Sequence, residues 1–436
     1  MALVAWIGNG QATQQVEQAT VTAVTPGGTL TATLNGKSIT YTCVVGDTTT
    51  TAAAAWVTLL SNQGTAPPEF NEESWSSAAN VVTATANVAG TPFAGVPGGL
   101  VFSAAAGAAL TPAHVTPNSS PADVANPANW LRLGANSLPQ AGDDAVIANT
   151  SVPLLWGLGA LSTVRLNSWT RWQSFSGTVG LPEVNPGGYY EYRQTYLQLA
   201  SNVTTFPLLL GQGSGSGPSR ERYDCQGFRT TLNALAGGSP ADSYSIRFLG
   251  QNPFNVVQAV GTSVGVAMLP AEVAALASAT CDGGGLLDLG PGVAFSGILT
   301  YIGGSVGTVQ IGGVSGTSSS PAAAGSGAPS ALNLQTGSAV RVTGTGQTWP
   351  SVTVNDGSTL VWQADGTVGV LTMARGGTFD KSGDVRPMGI GQAAIDTTST
   401  ILDPNNAVTF LQSIQVAGPI QAGPVQVGPG RRLQVF

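Results

Sequence analysis

The chain has 436 residues, of which only 8% are Asp, Glu, Lys or Arg, against about a quarter in ordinary soluble domains, while 42% are hydrophobic. That balance excludes a disordered polar chain, and with 59 Gly and 27 Pro it points to strands and tight turns showing Thr, Ser, Asn and Gln to water. The net charge is −7, Lys37 and Lys381 are the only lysines, and the arginines are scattered, so no basic stripe exists for nucleic acid.

Residues 1–10 contain a first strand around Ala5-Trp6, expected to join a larger β-structure further along the chain. Residues 11–115 read as a small β-rich domain with one helix. Val16 to Val24 and Thr29 to Leu34 are strand-like, Asn35-Gly36 is a hairpin turn, and Ser38 to Val44 returns as the partner strand. Asp47 and Thr48 then cap a helix with Ala52, Ala55, Trp56, Leu59 and Leu60 at helical spacing. Glu72-Glu73 reads as a solvated edge before Trp75, and Asn80 to Ala86 alternates as another strand.

From Thr111 the chain turns Pro-, Ala- and Asn-rich, and residues 116–128 are read as a linker. His114, the only histidine, lies where this composition begins and is read as an exposed loop residue. A lone histidine there supplies neither a triad nor a zinc site.

Residues 129–415 carry the strongest pattern. Gly337-Ser338-Ala339-Val340-Arg341-Val342, Gly357-Ser358-Thr359-Leu360-Val361-Trp362 and Gly376-Gly377-Thr378-Phe379-Asp380 repeat one motif roughly every 19–20 residues. That period suits one coil of a β-solenoid, which buries its apolar side only by stacking on its neighbours. The fold class expected is mainly β, a right-handed parallel β-helix with a small N-terminal α+β insertion domain. Gly211 to Gly217 and Gly316 to Ser330 read as loops, the second protruding. Residues 416–436, with Pro419, Pro424 and Pro429, are expected to form an extended tail.

Little in the chain suggests chemistry. Asp143-Asp144 reads as a turn whose carboxylates bond backbone amides, with Ca²⁺ a minor alternative. Asp282-Gly283-Gly284-Gly285 likewise reads as turn chemistry. Cys43, Cys225 and Cys281 are too far apart for a zinc motif or a disulfide framework and read as small buried hydrophobes. Asp356, Asp365, Arg375, Asp380, Lys381, Asp384, Arg386 and Asp396 are spread over the clearest coils without nominating a catalytic face. No catalytic residue, cofactor or metal is expected, and the chain is read as a non-enzyme. The aromatics Trp169, Trp172, Phe175, Tyr189, Tyr190, Tyr192 and Tyr196 form the densest such cluster. They are expected to cap the solenoid or bury a subunit interface, with sugar stacking as the alternative.

The N-terminus lacks the basic and apolar regions of a secretory signal, and the uncharged stretch from Ser76 to Ala113 is too broken by Gly and Pro to span a membrane.

Trp6-Ile7-Gly8-Asn9-Gly10, Asn126-Pro127-Ala128-Asn129-Trp130 and Pro139 to Ile147 resemble the opening of β-solenoid surface and virion proteins, with an insertion between the first two motifs. Gly177 to Glu183 and Gly187-Gly188-Tyr189-Tyr190-Glu191-Tyr192-Arg193 look like structural proteins encoded by tailed phages and prophages. The inserted module is similar to small β-rich domains of phage tail and head proteins through Leu34-Asn35-Gly36, Tyr41-Thr42 and Gly46-Asp47-Thr48. The resemblance implies a virion component of fibre, spike or decoration type, assembled in the host cytoplasm. Its implied partners are copies of itself, expected as a homotrimer, other virion proteins, and a cell-surface glycan. A bacterial surface fibre or adhesin, and a polysaccharide-binding or depolymerising β-helix, are the alternatives.

Overall fold

The computed structural model describes residues 2–226, 228 and 331–412, together with the backbone of the strands from Thr230–Ala234 through Val306–Ile311 and from Ile414–Ala417 through Leu433–Val435. The fold is mainly β, a parallel β-solenoid with a small α+β module inserted near its N-terminus. The loop expected from Gly316 to Ser330 lies outside the described residues.

Two long ladders run along the solenoid. One starts with Leu3–Trp6, parallel to Asp144–Ile147, and continues through Ser168–Trp172 and Phe206–Gln212 to Met388–Asp396 and beyond. The other runs from Leu197–Gln198 and Glu221–Asp224 to Thr378–Asp380 and Thr400–Leu402. In the repeat region one residue of each coil stands above its equivalent: Val340, Leu360, Phe379 and Ile401 form one inward column. Trp349, Val368, Ile390 and Phe410 form another, and both columns are buried. The period-2 alternation of each strand sends every second side chain into this shared interior. A single coil has no such interior of its own, so burial of these columns requires the stack.

The Gly-led motifs are the turns of successive coils. Gly337 and Gly357 have φ of +74° and +64°, and their N–H groups donate to the carbonyls of Asp356 and Arg375 in the next coil, both at 2.9 Å. At another corner the constraint is space: a Cβ on Gly391 would lie 2.4 Å from the carbonyl oxygen of Gly369 one coil away.

The N-terminal edge is closed by a hairpin of Trp130–Arg132 and Ala135–Asn136, antiparallel to Leu3–Trp6. A covered edge removes a template for unwanted strand pairing. Trp6 and Trp130 meet edge-to-face at 5.0 Å beneath it. The chain leaves and re-enters the solenoid at this cap. Asn129 gathers both passes: its Nδ2 donates to Ser120 and Asp123 carbonyls at 2.8 Å, and its Oδ1 accepts from Gly10 N–H at 2.6 Å. The stretch read as a linker is therefore a fixed neck, with Thr13 bridged to Ser119.

The module pairs a four-stranded sheet, ordered Glu73–Ala78, Val81–Ala86, Val16–Ala23, Ala109–Thr116, with a three-stranded one, ordered Lys37–Thr42, Thr29–Leu34, Val101–Ala105. Asn35 and Gly36 both have positive φ, the geometry of a tight hairpin turn. Thr48 caps the helix Thr49–Leu60 in a reciprocal capping box with Thr51. The helix buries Ala52, Ala53, Trp56 and Leu60; Leu59, expected inward, is exposed because the sheet lies nearer the Ala53 side.

Two further expectations are corrected. Ala109–Thr116 is the edge strand of the four-stranded sheet, so His114 is a strand residue and not a loop residue. Pro112 is tolerated there because an edge strand leaves one side unpaired. In the C-terminal tail, Gln426–Val427 and Leu433–Val435 are rungs of the solenoid, parallel to Val408–Phe410 and Ile414–Ala417. Pro419, Pro424 and Pro429 themselves lie outside the described residues.

Gly391→Ala is expected to lower the unfolding free energy by about 1–3 kcal/mol through this backbone clash. Gly357→Ala, which meets nothing within 4 Å, should lose only about 1–2 kcal/mol for its left-handed backbone. Chemical denaturation of the two variants beside the wild type checks the order.

Candidate functional site

The densest meeting of ionisable side chains among the described residues lies where the module touches the solenoid. On the module side, the one-turn helix Pro68–Asn71 delivers Glu72 to the start of strand Glu73–Ala78. On the solenoid side, residues 183–196 form an arm folded back by the Val184–Tyr190 bridge, which presents Tyr189, Glu191, Tyr192 and Arg193.

Glu72 is the hub. It accepts from the Tyr189 hydroxyl, from the Tyr192 hydroxyl at 2.8 Å, and from Arg193 Nη2 and Nη1 at 3.0 and 3.3 Å. Arg193 also donates from Nε and Nη2 to Glu191 at 2.7 and 3.1 Å, and from Nη1 to the Pro92 carbonyl at 3.0 Å. Its guanidinium stacks between the rings of Trp156 and Tyr192, 4.9 and 4.8 Å from their centroids. Burial opposes charge on this guanidinium, but hydrogen bonds to Glu191 and the charge of Glu72 outweigh it and push its pKa up. Glu191 is held in turn by Asn185 Nδ2 at 2.7 Å. Such a buried ion cluster fixes one geometry, and removing its only cation would strand two carboxylates.

Glu73 sits beside this cluster without joining it. Its side chain is buried and neither carboxyl oxygen has a partner among the described residues. Burial, reinforced by the charge of Glu72, pushes its pKa up to about 9, so the group is protonated near neutral pH. The expectation that Glu72-Glu73 forms a solvated edge is thus overturned: both side chains turn into the junction. Glu69 is similarly buried and accepts from Lys37 Nζ at 2.6 Å and Asn35 Nδ2 at 2.8 Å, which ties down the hairpin tip.

The seven predicted aromatics do not form one surface. Trp169 lies in the solenoid core, edge-to-face with Trp130 and Tyr223, both at 6.3 Å, and Phe175 is buried in the same core. Tyr189 and Tyr192 belong to the junction, with their rings 6.5 Å apart. Tyr196 is buried and donates to Glu183 at 3.1 Å. Trp172 and Tyr190 are the two exposed ones, at 43% and 78%.

Several other charged groups form pairs or small clusters. Arg171 and Glu221 form a fully buried bidentate pair inside the solenoid, joined by the Tyr223 hydroxyl at 2.9 Å from Glu221 Oε1. Of the charged residues noted in the coils, Lys381, Asp384 and Arg386 come together. Lys381 Nζ donates to Asp384 at 2.7 Å and to the Ala364 carbonyl at 2.7 Å, and Arg386 Nε reaches Asp384 at 2.9 Å. Burial raises the Asp384 pKa, but hydrogen bonds from Arg386 and Lys381 win and hold it at about 2. Asp380 and Asp396 cap local turns through Ser382 and Thr398.

Asp143 accepts from the amides of Gln140 and Ala2 and from Arg132 Nε at 2.6 Å, while Asp144 faces Ser168, so the adjacent carboxylates have separate partners. His114 Nδ1 contacts Glu17 Oε1. Cys43 and Cys225 are buried thiols, and Cys281 lies on the strand Ala279–Asp282. Among the described residues, no three His, Cys, Asp or Glu side chains gather as a metal site.

Sequence reasoning missed Glu72, Glu191, Arg193 and Trp156 as one assembly, with Glu73 buried beside it. The only local signal was the alternation Tyr190-Glu191-Tyr192-Arg193. Comparison with family models, with curated proteins and with solved structures finds no match for this chain.

The protonated Glu73 has a testable consequence. Because its folded pKa lies above the ordinary carboxylate value, its contribution to stability is fully present below about pH 4.5 and is lost as pH rises through about 9. Wild type should therefore lose stability relative to Glu73→Gln between those limits, and equal pH profiles for the two proteins in urea denaturation would contradict the assignment.

Proposed function

We propose that the chain is a non-enzymatic structural protein of a tailed-phage or prophage particle that self-assembles within a fibre, spike or capsid or tail decoration. In this reading the solenoid is right-handed, the assembled form is a homotrimer, and the protein is made and assembled in the host cytoplasm. The supporting observation is mechanical: coils stacked in register through one shared interior, with the clustered ionisable side chains engaged in internal pairs. Interlocked backbone suits load-bearing, since each coil is stabilised through its neighbours. The sparse surface charge suits close contact between copies, because little desolvation of ions opposes it.

The motif residues that resemble virion proteins have structural work in this fold. Trp6, Asn129 and Trp130 build the cap and the neck, and Asp143 anchors the first coil through Ala2 and Arg132. These roles position backbone and hold no substrate.

Mass photometry of the purified full chain, followed by electron microscopy, tests the reading. The expected result is a rod-shaped species with three times the 43.8 kDa mass of one chain. A monodisperse monomer that does not associate with phage particles would overturn it.

A further inference from the structure

Beside the ion cluster, the junction encloses a cleft of ≈ 390 Å³, walled by the module at Pro97 and by the solenoid at Trp156, Gly159, Gln194 and Gln198. This volume falls within the range of about 300–1,000 Å³ typical of small-molecule sites, which often lie at domain interfaces.

The polar groups facing it are specific in kind. All five N–H bonds of Arg193 are spent on Glu72, Glu191 and the Pro92 carbonyl, so the cation at its base has no donor left for an anionic ligand. Gln194 and Gln198 each donate one amide N–H, to the Tyr196 carbonyl and to Asp224, so each keeps a second N–H and its amide oxygen. Gln198 Oε1 lies 3.3 Å from where a Cβ on Gly159 would stand, so it is at the cleft wall. Trp156 lines the cleft with the ring that Arg193 stacks on.

The geometry points to this cleft as a binding site for a neutral saccharide. Its apolar walls suit the C–H faces of a pyranose ring, and amide groups that can both donate and accept suit hydroxyl groups, which do the same. The lining includes no carboxylate and no unspent cation, which disfavours charged sugars and anions. This assignment is independent of the self-assembly reading: one is tested by the mass of the particle, the other by ligand occupancy.

The test titrates the full chain with glucose, galactose, N-acetylglucosamine and their β-1,4-linked disaccharides, read by saturation-transfer NMR and tryptophan fluorescence, with glucuronate as the charged comparison. At least one neutral sugar should saturate, glucuronate should bind more weakly, and Gln198→Ala should weaken the neutral sugar about tenfold. Gly159→Val, which fills the cleft from its wall, should abolish binding, with near-UV circular dichroism confirming the native fold of each variant. The proposal fails if no neutral sugar saturates below about 50 mM, if glucuronate binds best, or if binding survives both substitutions.

Discussion

The structure depends on the register in which one coil's backbone meets the next. Parallel strands need crossover connections, and here each crossover is simply the rest of the coil, so every rung waits on its neighbours for both hydrogen bonds and apolar cover. A slip of one residue would turn Val340, Leu360 and Phe379 outward and bring their polar neighbours into the interior. The Gly-led turns and the Gly369–Gly391 corner hold that register by permitting backbone conformations and approaches that side chains would block.

Among the described residues, charge enters this interior in compensated form. Arg171–Glu221 and Lys381–Asp384 occupy inward positions, each with both ions present. Burying such pairs costs desolvation on the order of several kcal/mol per ion, offset by their mutual attraction and additional hydrogen bonds, so they contribute specificity of arrangement more than net stability. The module junction applies the same rule between two domains. Arg193 holds Glu72 from one side and Glu191 from the other, while protonation keeps Glu73 neutral nearby.

Features set by local sequence were legible before the structure. The Asn35-Gly36 turn, the Thr48 cap and the coil repeat each arise from residues close together in the chain, and each is present. The junction was not legible because its partners are separated by long stretches of sequence. Glu72-Glu73, between Asn71 and Ser74, has the local character of a surface loop, and only the returning arm at 183–196 makes it interior. The aromatic cluster misled for a different reason. Proximity in sequence suggested a shared surface, whereas strand alternation over Ser168–Trp172 sends Trp169 inward and Trp172 outward and buries Arg171 between them. The C-terminal prolines suggested an unpaired tail because proline lacks the N–H a ladder uses, whereas the pairing of Gln426–Val427 and Leu433–Val435 depends on coils already stacked before them.

Paired cysteines across neighbouring coils test the stacking register most directly. Ala339 stands opposite Thr359, while Val361 faces the same side two residues further along. On mild oxidation, Ala339→Cys with Thr359→Cys should form a disulfide identifiable by non-reducing peptide mapping, whereas Ala339→Cys with Val361→Cys should not. Preferential cross-linking of the second pair, or of neither, would contradict the coil register on which this account rests.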